Sequence, residues 1–387
     1  MTGPPAFPEP SSTLRMRPGT PVLDRGKGSL QLGTDLRWAL VLSGLSEPES
    51  AWLRAAATRR HQSLLDAARR HQVDAERRSQ ITDLLVRCGY LVEPAAADAE
   101  ITAPARGAAD VAVLGSLRPD GAGLATLAQR ARCAVAISGL GRIGSGIALH
   151  LATAGVGAVV LGDRSPVQVS DLGLGVYRQQ DVGRSRERVL REILHERSPK
   201  AGVSLELEAA VRPDVVVVTA AHAADPQRHD RLVGAGLAHL PVVVREADVV
   251  VGPLVLPGSS PCVRCLDLHT RDVDGVWPKL AEQLREAYAE AGAPEETTLA
   301  ATASALAAGQ VLAQLDGARP VAVGAVLEIA LPEALPRVRP VRPHPECGCS
   351  AVLGDGKRSA AEPGVTTSLG RVRQARPPAG GGPKDHR

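Results

Sequence analysis

Residues 133–144, Cys-Ala-Val-Ala-Ile-Ser-Gly-Leu-Gly-Arg-Ile-Gly, combine a buried-strand pattern with closely spaced glycines. A helical pattern follows over residues 147–154, and the next apolar run, 156–161, ends shortly before Asp163. Glycine lets a ligand approach the backbone, a helix N-terminus attracts phosphate, and the acid can bind a ribose hydroxyl. The stretch predicts a nucleotide-binding βαβ unit; the alternative is a tight turn in an α/β fold that binds nothing. The candidate nucleotide contacts are Gly139, Gly141, Arg142, Gly144 and Asp163.

Two cysteine pairs, Cys262-Val-Arg-Cys265 and Cys347-Gly-Cys349, form the second informative pattern. Zinc binds four thiolates at about 2.3 Å and accepts paired ligands from short turns. Unrelated thiols or a disulfide are the alternatives, but the chain is long and we expect no secretory signal. The four cysteines therefore predict one closed, structural Zn²⁺ site without an open position for substrate water.

Composition argues against several classes of protein. Hydrophobic residues make up 44% of the 387 residues, which is enough for two domains with their own cores. Aromatic residues make up 2%, so platforms for stacking single-stranded nucleic acid are scarce. The longest apolar run, residues 215–221, has the length of a strand and not the roughly twenty residues that span a bilayer. We expect a soluble, cytoplasmic protein without membrane contact, and nucleic acid is not a favoured partner.

Composition also divides the chain into regions. The Pro- and Ser-rich residues 1–14 and the low-complexity residues 351–387 are predicted to be disordered. Between them we expect a small module over residues 15–94, an Ala-rich connector over 95–130 and an α/β domain over 131–350.

The N-terminal module has a pattern of strands, three helices and a returning strand. Arg25-Gly26-Lys27-Gly28 lies between apolar runs and predicts a hairpin, and Ser46-Glu47-Pro48-Glu49 is a capping box that starts a helix. An apolar helical face over residues 81–88 ends at Gly89, and residues 90–92 read as a strand. This order predicts a small α+β module, a winged helix-turn-helix.

Three roles fit such a module. Arginines between residues 59 and 78 could contact DNA phosphates. Acidic residues interrupt them, so a solvated face of mixed charge is the plainer interpretation. The third role is peptide recognition, in which a sheet edge near Leu30 to Leu32 accepts an extended peptide as an extra strand.

Further motifs follow Asp163, namely Val169-Ser-Asp-Leu172 and a Tyr177-Arg178 pair, and then Arg186 at the start of a helix. Together with the glycine turn and the cysteine pairs, they resemble the ThiF/MoeB/HesA family of ubiquitin-activating-type adenylyltransferases. The resemblance covers about residues 131–350. It implies ATP with Mg²⁺ as ligands, Arg178 and Arg186 as nucleotide contacts, and zinc at the two cysteine pairs. The predicted fold class is α/β: a Rossmann-like ThiF-type nucleotide-binding domain with structural zinc, preceded by the winged helix-turn-helix module.

The chain departs from the family pattern where the chemistry is done. The arginine expected two residues after Leu172 is absent from Gly173-Leu-Gly175, and Arg186 replaces a lysine. Ala221 stands where the resemblance places the magnesium aspartate, and Asp225 could substitute only with a shifted loop. Because alanine cannot coordinate magnesium, the domain is predicted to be catalytically degenerate, although nucleotide could still bind.

A winged module fused to a degenerate ThiF-like domain resembles the ThiF-like cyclodehydratase partner proteins of azole- and azoline-peptide biosynthesis. That resemblance implies a protein that binds the leader of a ribosomal precursor peptide and presents it to a YcaO-type partner enzyme. It also implies a homodimer, for which the Ala-rich helix after Thr297 is a candidate interface. The alternatives are an active adenylyltransferase of a small carrier protein or peptide C-terminus and, less favoured, a DNA-binding regulator that senses nucleotide.

Overall fold

The computed structural model describes residues 14–17, 19–58, 63–92, 107–118, 121–173, 175–198, 202–204, 212–287, 293–350 and 373–375. The chain forms two compact units, one of residues 1–126 with 360–387 and the other of residues 127–359. Residues 1–13, 93–106, 351–372 and 376–387 lie outside the described part, and with them most of the predicted disordered ends and part of the predicted connector.

The strands, in chain order, are β1 (Arg15–Met16), β2 (Val22–Gly26), β3 (Ser29–Leu32), β4 (Leu40–Ser43), β5 (Leu91–Val92), β6 (Ala134–Ser138), β7 (Ala158–Gly162), β8 (Gly202–Ser204), β9 (Val215–Ala221), β10 (Ala238–Val244), β11 (Asp248–Val251), β12 (Ala325–Ala330), β13 (Leu335–Pro340) and β14 (Arg373–Ala375). The helices are α1 (Glu47–Thr58), α2 (Leu64–Arg70), α3 (Ala75–Arg87), α4 (Ala108–Leu117), α5 (Gly123–Arg130), α6 (Arg142–Thr153), α7 (Arg186–Arg197), α8 (Pro226–Gly234), α9 (Val263–Val273), α10 (Trp277–Ala287) and α11 (Thr297–Leu315).

The first unit has the predicted order of a hairpin, three helices and a returning strand. The capping box at the start of α1 is present: the Ser46 N–H donates to Glu49 Oε2 at 2.8 Å, and the Glu49 N–H donates to Ser46 Oγ at 3.4 Å. Trp52 is fully buried, and its indole N–H donates to the Leu64 carbonyl at 2.9 Å. The returning strand β5 pairs with β1 in a separate two-stranded sheet and does not join the hairpin sheet. The winged helix-turn-helix assignment stays a prediction.

The hairpin sheet of the first unit has the strand order β14-β4-β3-β2. Its strand β3 pairs with β2 on one side and β4 on the other, so the expected peptide edge near Leu30 to Leu32 is an interior strand. The sheet edges are formed by β2 and by β14, a strand within the stretch predicted to be disordered. Of the predicted connector, residues 108–117 and 123–130 are helical as α4 and α5.

The second unit is built on an eight-stranded sheet of order β13-β12-β11-β10-β9-β6-β7-β8. The strands from β8 to β10 are parallel, and β11 to β13 extend the sheet in antiparallel fashion. The parallel order reverses at β6, with β7 on one side and β9 on the other. This reversal is the switch point at which doubly wound α/β sheets bind ligands, and it confirms the predicted α/β class.

Helices α6 and α11 pack closely against each other in the core of the second unit. A Cβ atom built on Gly146 of α6 would lie 2.9 Å from Ser304 Cβ of α11, so the two backbones approach because a side chain is missing. Over 18 residues α11 has a mean hydropathy of 1.2, and it is long and apolar enough to cross a membrane by length and composition. Because the core helix of a soluble protein meets the same criterion, and Leu299, Ala303 and Ala307 lie in the main core cluster, this is weak evidence for a membrane span.

Candidate functional site: a nucleotide-type cleft and a cysteine cluster

A cleft of about 770 Å³ opens at the carboxyl ends of β6 and β9, the two strands that flank the switch point. Ser138 and Gly139 contribute from the end of β6, and Ala220 and Ala221 contribute from the end of β9. Five of the predicted nucleotide contacts line the cleft, namely Gly139, Gly141, Arg142, Asp163 and Arg186.

The glycines of the turn have different roles. Gly139 has φ +84°, and a Cβ there would lie 2.0 Å from Thr219 Oγ1 on β9. A Cβ on Gly144 would lie 1.9 Å from the Gly139 carbonyl oxygen, so this glycine allows α6 to begin close to the turn. Gly144 is not among the residues that line the cleft. Gly139 and Gly144 therefore shape the turn, whereas Gly141 faces the cleft.

Asp163, at the end of β7, is part of a buried group of charges. Arg186 donates from Nε and Nη2 to both carboxylate oxygens of Asp171 at 2.8 Å and from Nη1 to Asp163 Oδ2 at 3.0 Å. Burial opposes the ionisation of Asp163, but hydrogen bonds from the Leu140 N–H, Ser165 and Arg186 outweigh it, so the pKa of Asp163 lies below its ordinary value. Two carboxylates and one guanidinium give this group one formal negative charge.

Glu295 lies opposite the glycine turn and was not among the residues selected from the sequence. Its Oε2 accepts the Ile143 N–H at 2.6 Å, so a carboxylate already contacts the N-terminus of α6, where a phosphate would bind. Burial, and next the charge of Asp171, raise the pKa of Glu295 to about 6 against the effect of the Ile143 hydrogen bond. Arg142 donates to the Glu295 carbonyl at 2.8 Å and to the Leu172 carbonyl at 2.6 Å, which fixes this arrangement.

No carboxylate stands at the end of β9 within the described residues, because Ala221 lines that part of the cleft. His222, the next residue, is buried but is not among the described lining residues. Asp225 lines the cleft and also caps α8 by accepting the Gln227 N–H at 3.0 Å. The cations Arg228 and Arg285 line the same region. This part of the cleft therefore contains two cations and one carboxylate, and it lacks the carboxylate that the resemblance places at position 221.

Arg178 lies away from the cleft. Its guanidinium is 4.0 Å from Glu196, its side chain is about half exposed, and it is not among the described lining residues. The structure thus brings five of the seven predicted nucleotide contacts to one cleft, places Gly144 beneath the turn, and leaves Arg178 on the outer surface.

The four cysteines of the two sequence pairs meet in one cluster. Their sulfur atoms all lie within 4.8 Å of one another. The Cys262–Cys347 and Cys265–Cys349 sulfur distances are 3.5 and 3.4 Å, which is too long for a disulfide at about 2.05 Å. Four thiolates at about 2.3 Å from a tetrahedral zinc would be separated by about 3.8 Å. The cluster therefore has the donor set and the spacing to hold a metal ion.

Hydrogen bonds around the cluster orient the sulfur atoms. The His344 N–H donates to Cys265 Sγ at 3.3 Å, and the Cys347 N–H donates to the His344 carbonyl at 2.9 Å. The His344 ring is held in turn by Asp272, with Nε2 2.8 Å from Oδ2. The Cys262 thiol, and next the backbone donors, lower the pKa of Cys265, whereas the pKa values of its partners Cys262 and Cys349 are raised, so in the absence of a cation the cluster favours a thiolate at Cys265 alone. Such outer contacts are typical of metal sites.

Residues 117–226 match a family model described as the ThiF family. Three solved structures share the fold, and the first two are of E. coli MccB. MccB with AMPCPP and MccA matches at a TM-score of 0.67 and 18% identity over 87% of this chain and 99% of that chain. MccB with ATP matches at 0.65 and 18% identity over 88% and 99%. The microcin C7 biosynthetic enzyme MccB with N-formylated MccA matches at 0.61 and 17% identity over 88% and 99%.

Among curated protein sequences, none matches the chain significantly. At these identities the structural likeness establishes the fold alone. Together with the family model, it confirms that the chain resembles the ThiF family and shares its fold with the microcin C7 biosynthetic enzyme MccB.

Proposed function

We propose that the protein recognises the leader of a ribosomal precursor peptide and presents it to a partner enzyme of the YcaO cyclodehydratase type in the cytoplasm. The observation that carries this proposal is that one chain contains both a ThiF-like cleft with Ala221 at the end of β9 and an N-terminal unit whose hairpin sheet pairs with a further short strand, β14, along its β4 edge. The fold relative MccB is known in complex with the peptide MccA, which supports a peptide as the partner.

The cleft keeps the groups that hold a nucleotide and lacks the group that would hold magnesium. Gly141, the N-terminus of α6 and Asp163 supply the phosphate and ribose contacts. Adenylation of a carboxylate requires the α-phosphorus to bond to the carboxylate oxygen while pyrophosphate leaves, and the metal normally neutralises the charge that develops. We therefore propose that ATP, if bound, has a structural or regulatory role.

We propose that the cysteine cluster holds Zn²⁺ as a structural ion. All four donors come from the protein, so no position is open for a substrate or an activated water. The ion would connect the start of α9 to the segment after β13, which are far apart in sequence.

The second candidate is an active adenylyltransferase that acts on a peptide or carrier-protein C-terminus. It is favoured by Asp225, which lines the cleft four residues after Ala221. The capping hydrogen bond uses Oδ1 of this carboxylate, so Oδ2 could serve a metal after a local shift of the loop.

ATP–pyrophosphate exchange, measured with the full chain and with the synthetic precursor peptide encoded beside its gene, separates the two functions. Our proposal predicts saturable peptide binding and no exchange above the level without protein. Exchange that is lost in Asp225→Asn but kept in the neighbouring control Gln227→Ala would establish the adenylyltransferase. The absence of peptide binding, together with tight and salt-sensitive binding of duplex DNA, would overturn both in favour of a DNA-binding role.

A further inference from the structure

The two edges of the β4-β3-β2 sheet differ in their suitability for an added strand. Strand β2 is mostly exposed, carries Asp24 and Arg25, and has a register irregularity between Asp24 and Gly26. Charge, exposure and a bulge are the features that keep a sheet edge from accepting another strand. The β2 edge is therefore protected.

Strand β4 has the opposite character. Leu40 and Leu42 belong to the core of the first unit, and Val41 is buried as well, so the strand is covered on both faces. A strand buried on both faces cannot hydrogen-bond fully to water along its outer edge, and its unpaired N–H and C=O groups would be costly. The outer edge of β4 therefore requires a partner strand.

The chain supplies such a strand from its own C-terminal region. Strand β14 pairs with β4 in parallel, with Arg373 opposite Leu40, Gln374 opposite Val41 and Ala375 opposite Leu42. The sequence Arg-Val-Arg-Gln-Ala-Arg at 371–376 contains three arginines and no acid. Pro377 and Pro378 follow immediately, and proline cannot donate to a ladder, so the paired segment has to be short.

We propose that residues around Arg373–Ala375 are a tethered occupant of the β4 edge and compete there with an incoming peptide. This inference rests on the proposed function, because it identifies the β4 edge as the peptide-binding surface. A tethered segment acts at an effective concentration that can reach about the millimolar range, so even a weak three-residue ladder can exclude a free peptide. The partner that the edge fits is an extended peptide bound mainly through its backbone.

The test uses a fluorescent synthetic peptide of residues 366–379 and three forms of the protein. The first is the full chain, the second ends at residue 365, and the third is the full chain with the double substitution Gln374→Pro and Ala375→Pro. Two adjacent prolines remove the donor whichever of the two N–H groups points towards β4. Gln374→Ala is the matched control, since it keeps both N–H groups.

We expect the truncated chain and the double-proline variant to bind the peptide at least about tenfold more tightly than the full chain and the Gln374→Ala control. A peptide carrying the same two prolines should not bind. Equal affinity of all four proteins, or no binding by the truncated chain, would overturn the inference. A tail-dependent dimer in light scattering would also overturn it, because the strand would then come from a second copy.

The experiment distinguishes a failure of this inference from a failure of the proposed function. If the truncated chain binds its own tail peptide but no precursor peptide, the assignment of the edge stands and the proposed function falls. If the full and truncated chains bind a precursor peptide with equal affinity, the proposed function stands and the tethered competitor falls.

Discussion

The cysteine cluster and the nucleotide cleft lie in the same unit, and they differ in how far their polar groups are satisfied without a ligand. In the cluster, four sulfur atoms lie within 4.8 Å of one another. In the cleft, Arg186 already binds Asp163 and Asp171, and Glu295 already accepts the Ile143 N–H. Four thiolates so close together would repel one another without a cation, whereas these charged groups of the cleft have partners within the protein. Loss of a bound metal should therefore lower the stability of the unit much more than loss of a bound nucleotide.

The largest expected effect comes from the cluster. Cys262→Ser should remove about one zinc per chain and lower the free energy of unfolding of the α/β unit by several kcal/mol, because the roughly 10 kcal/mol or more of structural zinc binding is coupled to folding. Cys133→Ser, in the same unit but outside the cluster, is the control. Elemental analysis and thermal unfolding measure both effects. Freshly purified protein without zinc would contradict the metal assignment.

The next effect comes from the charges of the cleft. Arg186→Met should cost about 3 kcal/mol or more, because it leaves the buried Asp163 and Asp171 without their cation. In wild type the contribution of Asp163 is present above its ordinary pKa of 3.8 and is lost as pH falls through the lower folded value. Denaturant unfolding at several pH values measures the free energy of unfolding and its dependence on pH. Arg186→Lys keeps the positive charge but not the bidentate contact, so its free energy of unfolding should lie between those of wild type and Arg186→Met.

A smaller effect is expected for nucleotide binding. Millimolar ATP or AMP should raise the melting temperature of wild type, and the increase should be smaller for Asp163→Ala, which cannot accept a hydrogen bond from the ribose. Because Asp163→Ala also removes the contact with Arg186, the two proteins differ in melting temperature even without nucleotide. The quantity to compare is therefore the increase that nucleotide causes in each protein. If the melting temperature of wild type does not change at all, the cleft does not bind nucleotide. The cysteine cluster would then be the only one of these two sites that binds a ligand.

The smallest effect concerns Glu295. Glu295→Gln should tighten nucleotide binding by up to about tenfold at pH 7.5, because a negative charge next to the phosphate position is removed. In wild type, affinity should rise as pH falls through the Glu295 pKa of about 6, since the protonated form is neutral. Titrations of both proteins at pH 5.5 and 7.5 separate this from protonation of the nucleotide. A wild-type pH dependence equal to that of the variant would show that Glu295 does not control binding.

The features that the sequence predicts correctly are those for which one short stretch contains all the residues that the feature needs. The glycine turn, the helix that begins at Arg142 and the acid at the end of β7 lie within about thirty residues of one another, and the structure has all of them at the switch point. The two cysteine pairs are far apart in sequence, but pairs of thiols at such short spacing are typical of zinc sites.

The missed features depend on contacts between distant parts of the chain. Glu295 precedes α11, and no spacing relates it to the glycine turn. The pairing of β14 with β4 joins the two ends of the chain, and nothing in residues 371–376 by itself indicates a strand partner. Likewise, the sequence predicts the returning strand β5 but not its partner β1, which lies at the other end of the first unit in sequence.

The close packing of α6 on α11 has a consequence for motion. Gly146 and Ser304 bring the two helices into contact, so we expect the N-terminus of α6 and the start of α11 to move together. Glu295 lies two residues before α11, and its carboxylate can leave the Ile143 N–H by rotation of its own side chain and a small change in residues 293–296. Side-chain and loop motions of this kind take nanoseconds to microseconds, whereas rearrangement of packed domains takes microseconds to milliseconds. Access to the phosphate position is therefore expected on the timescale of nanoseconds to microseconds.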